Sequence, residues 1–308
     1  MSLVLVSSKR FVDHVTPAGH PERPERAEVL QAVATSFSGG GGEVVEPRAA
    51  TDEDLLRVHS QEHVDAIVAT RGKATMIDAD TFTSPDSDEI ARLAAGAVLT
   101  GVDRALDGPK GSRALVLVRP PGHHAEADRA MGFCLYSNVA VGAAYARSRG
   151  CDRVAIVDYD VHHGNGTQWI FYEDPTVLFV SSHQYPFYPG TGAASEKGRG
   201  EGLGFTLNLP LAIGTRDDEI ERQYKEQVFP AVRAFRPNLL IVSAGFDAHE
   251  QDPLGQLRMT TEGFGRLTKG LVALADDVCE GRVVLVTEGG YDLEALAGSL
   301  RAVIVACS

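Results

Sequence analysis

The sequence is short of positive charge: 29 Lys and Arg stand against 42 Asp and Glu in 308 residues, a net charge of −13. A chain this acidic is a poor non-specific binder of nucleic-acid phosphates and, if it selects by charge, favours cations. The plainer reading, that the charge keeps the protein in solution, stands beside it. No run approaches the roughly 18 consecutive apolar residues that a membrane helix needs. The opening Met1–Val6 is too short for the apolar core of a secretion signal and reads as a first strand over Leu3–Val6. There are four cysteines, Cys134, Cys151, Cys279 and Cys307, none in a CxxC pair and each in or beside an apolar segment. That pattern fits reduced, buried thiols better than a disulfide framework, and cytoplasm is the expected compartment. No phosphate loop of the GxxxxGK[ST] type is present, which places a metal-free nucleotide or carbohydrate enzyme last among the readings. Linkers, internal repeats and low-complexity tracts are also missing, so residues 1–308 read as one domain.

What the chain does have is five short apolar runs, each ending in polar residues able to do chemistry. Ala114–Val118 leads into Arg119-Pro120-Pro121-Gly122-His123-His124. Val154–Val157 leads into Asp158-Tyr159-Asp160-Val161-His162-His163-Gly164-Asn165-Gly166. Val177–Val180 leads into Ser181-Ser182-His183, Leu239–Val242 into Ser243-Ala244-Gly245-Phe246-Asp247, and Val283–Val286 into Thr287-Glu288-Gly289-Gly290-Tyr291. Short β-branched runs bounded by Gly and Pro read as buried parallel strands. Helical periodicity is expected from about Pro24, near Asp52–Val58, Gln61–Ala69, Asp86–Leu106, Ser137–Arg147, Asp217–Phe229, Thr261–Val278 and Asp292–Val305. The alternation predicts an α/β fold with an open, mostly parallel sheet and helices on both faces. Arg71–Pro85 reads as a long polar connection on the surface. Gln184–Gly204 is a second long loop, and a loop of that length inside a compact domain usually serves function.

In an open parallel sheet the ligand site lies beyond the carboxyl ends of the strands. The five polar bursts should therefore converge. Asp160 and His162, two apart, point to one side and can grip a cation, with Asp247 as third ligand. Three protein ligands with open positions is the form of a catalytic zinc site. The alternative for Asp160 and His162 is a hydrogen-bonded loop pair. Asp158 is either a further ligand or an anchor for the others. His123 and His124 can flank one spot if the loop turns at Gly122, one taking a proton from water and the other giving one to a leaving group. Tyr291, after two glycines, can reach a substrate oxygen and donate to a developing oxyanion; the alternative is a packing residue at a helix start. His163, His183 and His249 are weaker candidates, and His14, His20, His59 and His63 carry no assigned role.

Taken together these pieces resemble the histone deacetylase superfamily, which has the arginase–deacetylase fold. The resemblance rests on His20-Pro21-Glu22-Arg23-Pro24-Glu25-Arg26, Arg119–His124, Gly132-Phe133-Cys134, Asp158–Thr167, Tyr188-Pro189-Gly190-Thr191-Gly192, Gly245-Phe246-Asp247 with Asp252-Pro253-Leu254, and Glu288-Gly289-Gly290-Tyr291, in that order along nearly the whole chain. Asn165 resembles the class II branch, and the lack of tails resembles its bacterial members. The resemblance implies an eight-stranded sheet and one catalytic Zn²⁺ on Asp160, His162 and Asp247. It implies an acid–base pair of His123, backed by Asp158, and His124, backed by Asn165. Because Asn165 carries no charge, His124 should be less stabilised as a cation than it would be beside Asp. Tyr291 would bond the scissile carbonyl oxygen. Gly132, Phe133, Tyr188, Leu254 and Gly290 would line a narrow tunnel, and Arg26 an inner channel. One or two K⁺ ions would sit near Asp158, Asp160, His162, Ser181 and Ser182, and near Phe171, Asp174, Val177 and Phe205. Gly164 stands where a two-manganese arginase needs Asp, so a second catalytic metal lacks its ligand.

The expected activity is hydrolysis of acetyl amides of the acetyl-lysine type, on a peptide, a protein or a small acylated amine. Hydroxamate inhibitors should bind, and neither nucleic acid nor membrane is expected as a partner. Leu254 at the tunnel rim tilts the reading away from acetylpolyamines, whose enzymes can carry a carboxylate there. An acetylpolyamine amidohydrolase and a catalytically silent zinc-binding sensor remain the competing readings.

Overall fold

The computed structural model describes residues 2–308; Met1, the first residue of the opening run, lies outside them. Among the described residues the ten strands are β1 Ser2–Ser7, β2 Glu43–Val45, β3 Thr75–Met76, β4 Phe82–Thr83, β5 Ser112–Leu117, β6 Val154–Asp158, β7 Val177–Gln184, β8 Thr206–Leu211, β9 Leu239–Ala244 and β10 Val283–Thr287. Eight of them form one sheet in the order β2-β1-β5-β10-β9-β6-β7-β8, and every pair in it is parallel. The five central strands β5, β10, β9, β6 and β7 are buried along their whole length. That is why they read as unbroken β-branched runs rather than as alternations.

Successive residues on each strand enter opposite layers. Leu115, Leu117, Val157, Val242 and Leu285 face one core, which helices α1 Glu25–Gly39, α9 Thr261–Val278 and α10 Leu293–Cys307 cover. Ala114, Val116, Ile156, Ile241 and Val284 face the other, under α4 Ser87–Asp107 and α5 Asn138–Ser148. The period of two along the strands thus splits the interior into two layers with helices outside each. The remaining helices are α2 Asp52–Leu55, α3 Gln61–Val68, α6 Asn165–Ile170, α7 Asp217–Gln223 and α8 Phe229–Phe235.

Two expectations need correction. Helix α7 does not stop near Phe229: a π-turn over Tyr224–Val228 joins it to α8. Pro230 lies just after this π-turn, whose wider turn accommodates a residue without an N–H. Nor is Arg71–Pro85 simply a surface connection. Its β3–β4 hairpin buries Thr81, Thr83 and Ser84, and Phe82 packs edge-on against His20.

The register fixes where chemistry can occur. Val116 pairs with Val286, Val286 with Ser243, Ser243 with Asp158 and Asp158 with Ser181. These five residues form one row across five parallel strands. The segments that follow all emerge at the same edge of the sheet, beyond the carboxyl ends of the strands. Among the described residues, no helix is long and apolar enough to cross a membrane.

Candidate active site

At that edge Asp160, His162 and Asp247 come together, and each is buried. One ligand atom from each lies within 4.8 Å of the others. Nδ1 of His162 is 3.2 Å from Asp160 Oδ1 and 3.1 Å from Asp247 Oδ2. The backbone holds both carboxylates in place. Asp160 accepts the N–H of His162 at 2.9 Å and that of Gly289 at 2.9 Å; Asp247 accepts the N–H of Val161 at 2.9 Å. A side chain at residue 289 would put its Cβ 2.1 Å from Asp247 Oδ2, so only glycine lets β10 deliver that N–H. Burial, then the neighbouring Asp160, pushes the Asp247 carboxyl up to about 7. Two carboxylates and an imidazole gathered out of water form a donor set that suits a divalent ion of the zinc type.

His123 and His124 flank this cluster with ring centroids 4.0 Å apart. His123 Nδ1 is 3.0 Å from Asp158 Oδ2, and His124 Nδ1 is 2.7 Å from Asn165 Oδ1. The Asn165 amide donates to Glu126 Oε1 at 2.8 Å, which orients its oxygen toward His124. Nδ1 of His124 is therefore the protonated nitrogen, and Nε2 is left as an acceptor. Burial, then the positive charges on His123 and His162, holds His124 well below the ordinary histidine range. Burial also disfavours a charged His123, but Asp160 and Asp158 outweigh it and hold His123 well above that range. The two adjacent imidazoles thus prefer opposite protonation states.

Above them lies a cavity of about 240 Å³ lined by His124, Gly132, Phe133, His162, Tyr188, Leu254 and Tyr291, together with Asp80 and Phe187. Phe133 meets Tyr291 edge-on at 5.8 Å, and Tyr188 meets His124 the same way at 5.1 Å. Phe187 stacks on His162 at 5.3 Å. Gly132 has φ +56°, and a Cβ there would lie 2.5 Å from the His124 ring, so the turn that presents Phe133 needs glycine. Behind Tyr291 lies Arg26, its guanidinium 5.0 Å from the phenol ring. Arg26 donates to the carbonyls of Gly290 at 2.7 Å and Glu288 at 2.6 Å and to Glu22 Oε1 at 2.9 Å.

The residues suggested for monovalent cations fall in two places. Ser181 stands opposite Asp158 in the sheet. Ser182 Oγ lies 3.5 Å from the Asp158 carbonyl oxygen and 2.8 Å from the Tyr224 hydroxyl. Phe171, Asp174 and Val177 share one turn, where Asp174 N–H bonds the Phe171 carbonyl and Val177 N–H the Asp174 carbonyl. Phe205 bonds Phe179 through its carbonyl.

Of the weaker histidines, His163 lies apart from the ligand cluster and bonds Thr191 and Gln168. His183 bonds Ser181 and the Gly192 carbonyl. His249 lies against Thr261 and stacks on Phe264. Asp80 was expected, with Asp78, to suit a cationic substrate, and it lines the cavity; sequence reasoning gave no role to Phe187 or to Glu288. Glu288 is fully buried and accepts the N–H groups of Gly122 at 2.6 Å and His123 at 3.2 Å. The Glu288-Gly289-Gly290-Tyr291 motif named the residue, but no spacing rule reports a bond to a loop far away in sequence.

An all-parallel eight-stranded sheet with this site at its carboxyl edge places the protein in the arginase–deacetylase fold class. The histone deacetylase domain matches residues 20–307, and the chain belongs to the histone deacetylase family. It is 38% identical to a probable deacetylase of Archaeoglobus fulgidus, over 94% of this chain and 81% of that protein. It is 40% identical to a histone deacetylase-like amidohydrolase of Pseudomonas aeruginosa, over 91% of this chain and 75% of that one. The crystal structure of the HDA15 HD domain superposes with a TM-score of 0.92 at 39% identity, covering 100% of this chain and 89% of that one.

Proposed function

We propose that residues 1–308 act as one cytoplasmic, zinc-dependent deacylase domain that removes acetyl groups from lysine-type amines. The observation that carries this reading is the meeting of the Asp160–His162–Asp247 cluster, two histidines of opposite proton preference and a phenol under one narrow cavity. Zinc held by Asp160, His162 and Asp247 would polarise the acyl carbonyl and lower the pKa of a water. His124, with Nε2 open, takes the proton as water attacks the acyl carbon and returns it to the departing amine. His123, paired with Asp158, is a fixed positive charge beside the developing oxyanion. The Tyr291 hydroxyl donates to that oxyanion. Phe133 and Tyr188 hold an unbranched alkyl linker between them, and Leu254 presents an uncharged rim. Arg26 closes the inner end. Acetate and a protonated amine result. K⁺ near Ser181 and Ser182, and a second near Phe171 and Phe205, would be structural. A hydroxamate should bind the zinc through the same cavity.

Asp80 on the cavity wall favours a second reading, an acetylpolyamine substrate whose ammonium meets that carboxylate. The test is hydrolysis of a fluorogenic acetyl-lysine amide, trifluoroacetyl-lysine and acetylspermidine, with and without chelator and added Zn²⁺. Chelator-sensitive cleavage of the lysine substrates is the expected result. Turnover of acetylspermidine alone would move the assignment to the polyamine. Silence on all three with zinc bound would favour a sensor.

A further inference from the structure

We propose that Asp252 is the positioning residue for the Tyr291 phenol, and that it ties the phenol to the cavity rim through one carboxylate. The proposal rests on the reading of Tyr291 as the oxyanion donor. Asp252 Oδ2 accepts the backbone N–H of Tyr291 at 2.6 Å and that of Asp292 at 3.2 Å. Its Oδ1 accepts the N–H of Leu254 at 2.9 Å. One side chain, 7% exposed, thus gathers three N–H groups from two segments that are distant in sequence. Among the described residues it has no ion pair, so these N–H groups are what offset its burial.

Arg26 holds the carbonyl end of the Gly290–Tyr291 peptide at 2.7 Å, and Asp252 holds its N–H end. Gly290, just before it, has φ +124°, a conformation that without an external hold is open to glycine in many directions. Asp292, just after it, begins α10 and caps it by accepting the Ala295 N–H at 2.8 Å. Asp252 grips the two residues between the flexible glycine and the rigid helix. The ring meets Phe133 edge-on and Arg26 face-on, but those contacts set its tilt rather than its depth. Asp252 also belongs to the loop that follows β9 and supplies Asp247 and Leu254. The ligand, the rim and the phenol are therefore held in one frame, and a shift of about 1 Å in such a frame can cost about 10²-fold in rate.

The test is a double-mutant cycle of Asp252→Ala and Tyr291→Phe on the acetyl-lysine amide, with zinc content and thermal unfolding measured on each purified protein. Asp252→Ala alone should lower kcat by about 10- to 100-fold, with KM within about threefold and one zinc retained. In the Tyr291→Phe background the same substitution should cost less than about threefold, because the group it positions is already gone. Equal, multiplying losses in both backgrounds, or loss of zinc, would overturn the proposal, since Asp252 would then act on the fold or on the metal ligands. Asp252→Asn keeps one acceptor for the Tyr291 and Asp292 N–H groups and should recover most of kcat; a folded, zinc-loaded Asn variant as slow as Ala would also overturn it. If the Ala variant does not fold, the cycle is run with Asn, whose smaller loss must likewise vanish in the Tyr291→Phe background. A Tyr291→Phe enzyme with unchanged kcat would instead remove the phenol reading and the proposal with it, an outcome distinct from additivity.

Discussion

Glu22 and Asp247 are both fully buried carboxylates close to Arg26 and Tyr291, yet the protein treats them in opposite ways. Glu22 meets two guanidiniums, Arg119 Nε at 2.6 Å and Arg26 Nη1 at 2.9 Å. Burial raises its pKa, but Arg119 and Arg26 outweigh burial and hold it below the usual carboxylate range. Asp247 has only the His162 imidazole and faces Asp160, and it is pushed up to about 7. In one cluster two guanidiniums answer a single carboxylate; the other gathers Asp158, Asp160, Asp247 and Glu288 around two imidazoles. A buried ionic group that lacks its counter-charge is the costly state, and a fold retains it where something else supplies that charge. The first cluster is a brace behind the cavity, and the second is a socket for a cation.

The largest expected effect breaks the socket. Asp160→Ala should lose bound zinc and lower activity by roughly 10³-fold or more, the scale of several kcal/mol of lost transition-state stabilisation. Metal analysis of the purified variant checks this, and a variant that keeps stoichiometric zinc would contradict the ligand assignment. Breaking the brace should read out differently. Glu22→Gln leaves Arg26 and Arg119 buried without their carboxylate and should cost about 3–5 kcal/mol of stability in urea unfolding while zinc content stays at one. If Glu22→Gln emptied the socket instead, the two clusters would be one. Tyr291→Phe lies between them. Its kcat should fall by about 10²- to 10³-fold with KM nearly unchanged, the signature of a bond made only in the transition state. A large rise in KM with kcat intact would place the phenol in ground-state binding.

The central strands were legible because full burial writes them as β-branched runs, and their ends were legible because polar clusters followed. The two edges were not. β2 is only Glu43–Val45, and β8 carries Pro210 and is partly exposed at Leu207 and Pro210. Edge strands need no apolar run and tolerate proline, so the signal that marks the centre is missing there. The eight-stranded count came from family resemblance. Within the site, the side chains nearest the proposed chemistry follow strand ends and were named. What was not visible is the scaffold that holds them: Glu288 under the His123 loop, Asp252 under Tyr291 and the hairpin that brings Asp80 to the cavity. Those links are hydrogen bonds from backbone N–H groups to carboxylates, or two-residue strand pairings, and neither leaves a periodic trace in sequence.

The smallest effect separates the brace from the socket by pH. His14 lies beside the brace, its Nε2 3.6 Å from Glu22 Oε2. Burial, outweighing the attraction of Glu22, lowers His14 to about 4. A carboxylate already shared by two guanidiniums does little to charge a neighbouring imidazole. His59 is lowered to about 3, again mainly by burial. Its Nε2 accepts the Ser137 N–H at 2.9 Å, so protonation there would break that bond. Both groups have folded pKa values below the unfolded value of about 6.5. Below that pH the unfolded chain binds protons that the folded chain refuses. Their contribution to stability is therefore complete above pH 6.5 and is lost as pH falls toward 4 for His14 and 3 for His59, at up to ~1.4 kcal/mol per pH unit for each. Urea unfolding between pH 7 and 5 should show this slope shallower in His14→Asn and in His59→Gln than in the parent protein. A parental slope in His14→Asn would mean that His14 is already charged and that Glu22 has negative charge to spare, which would undo the contrast between the clusters.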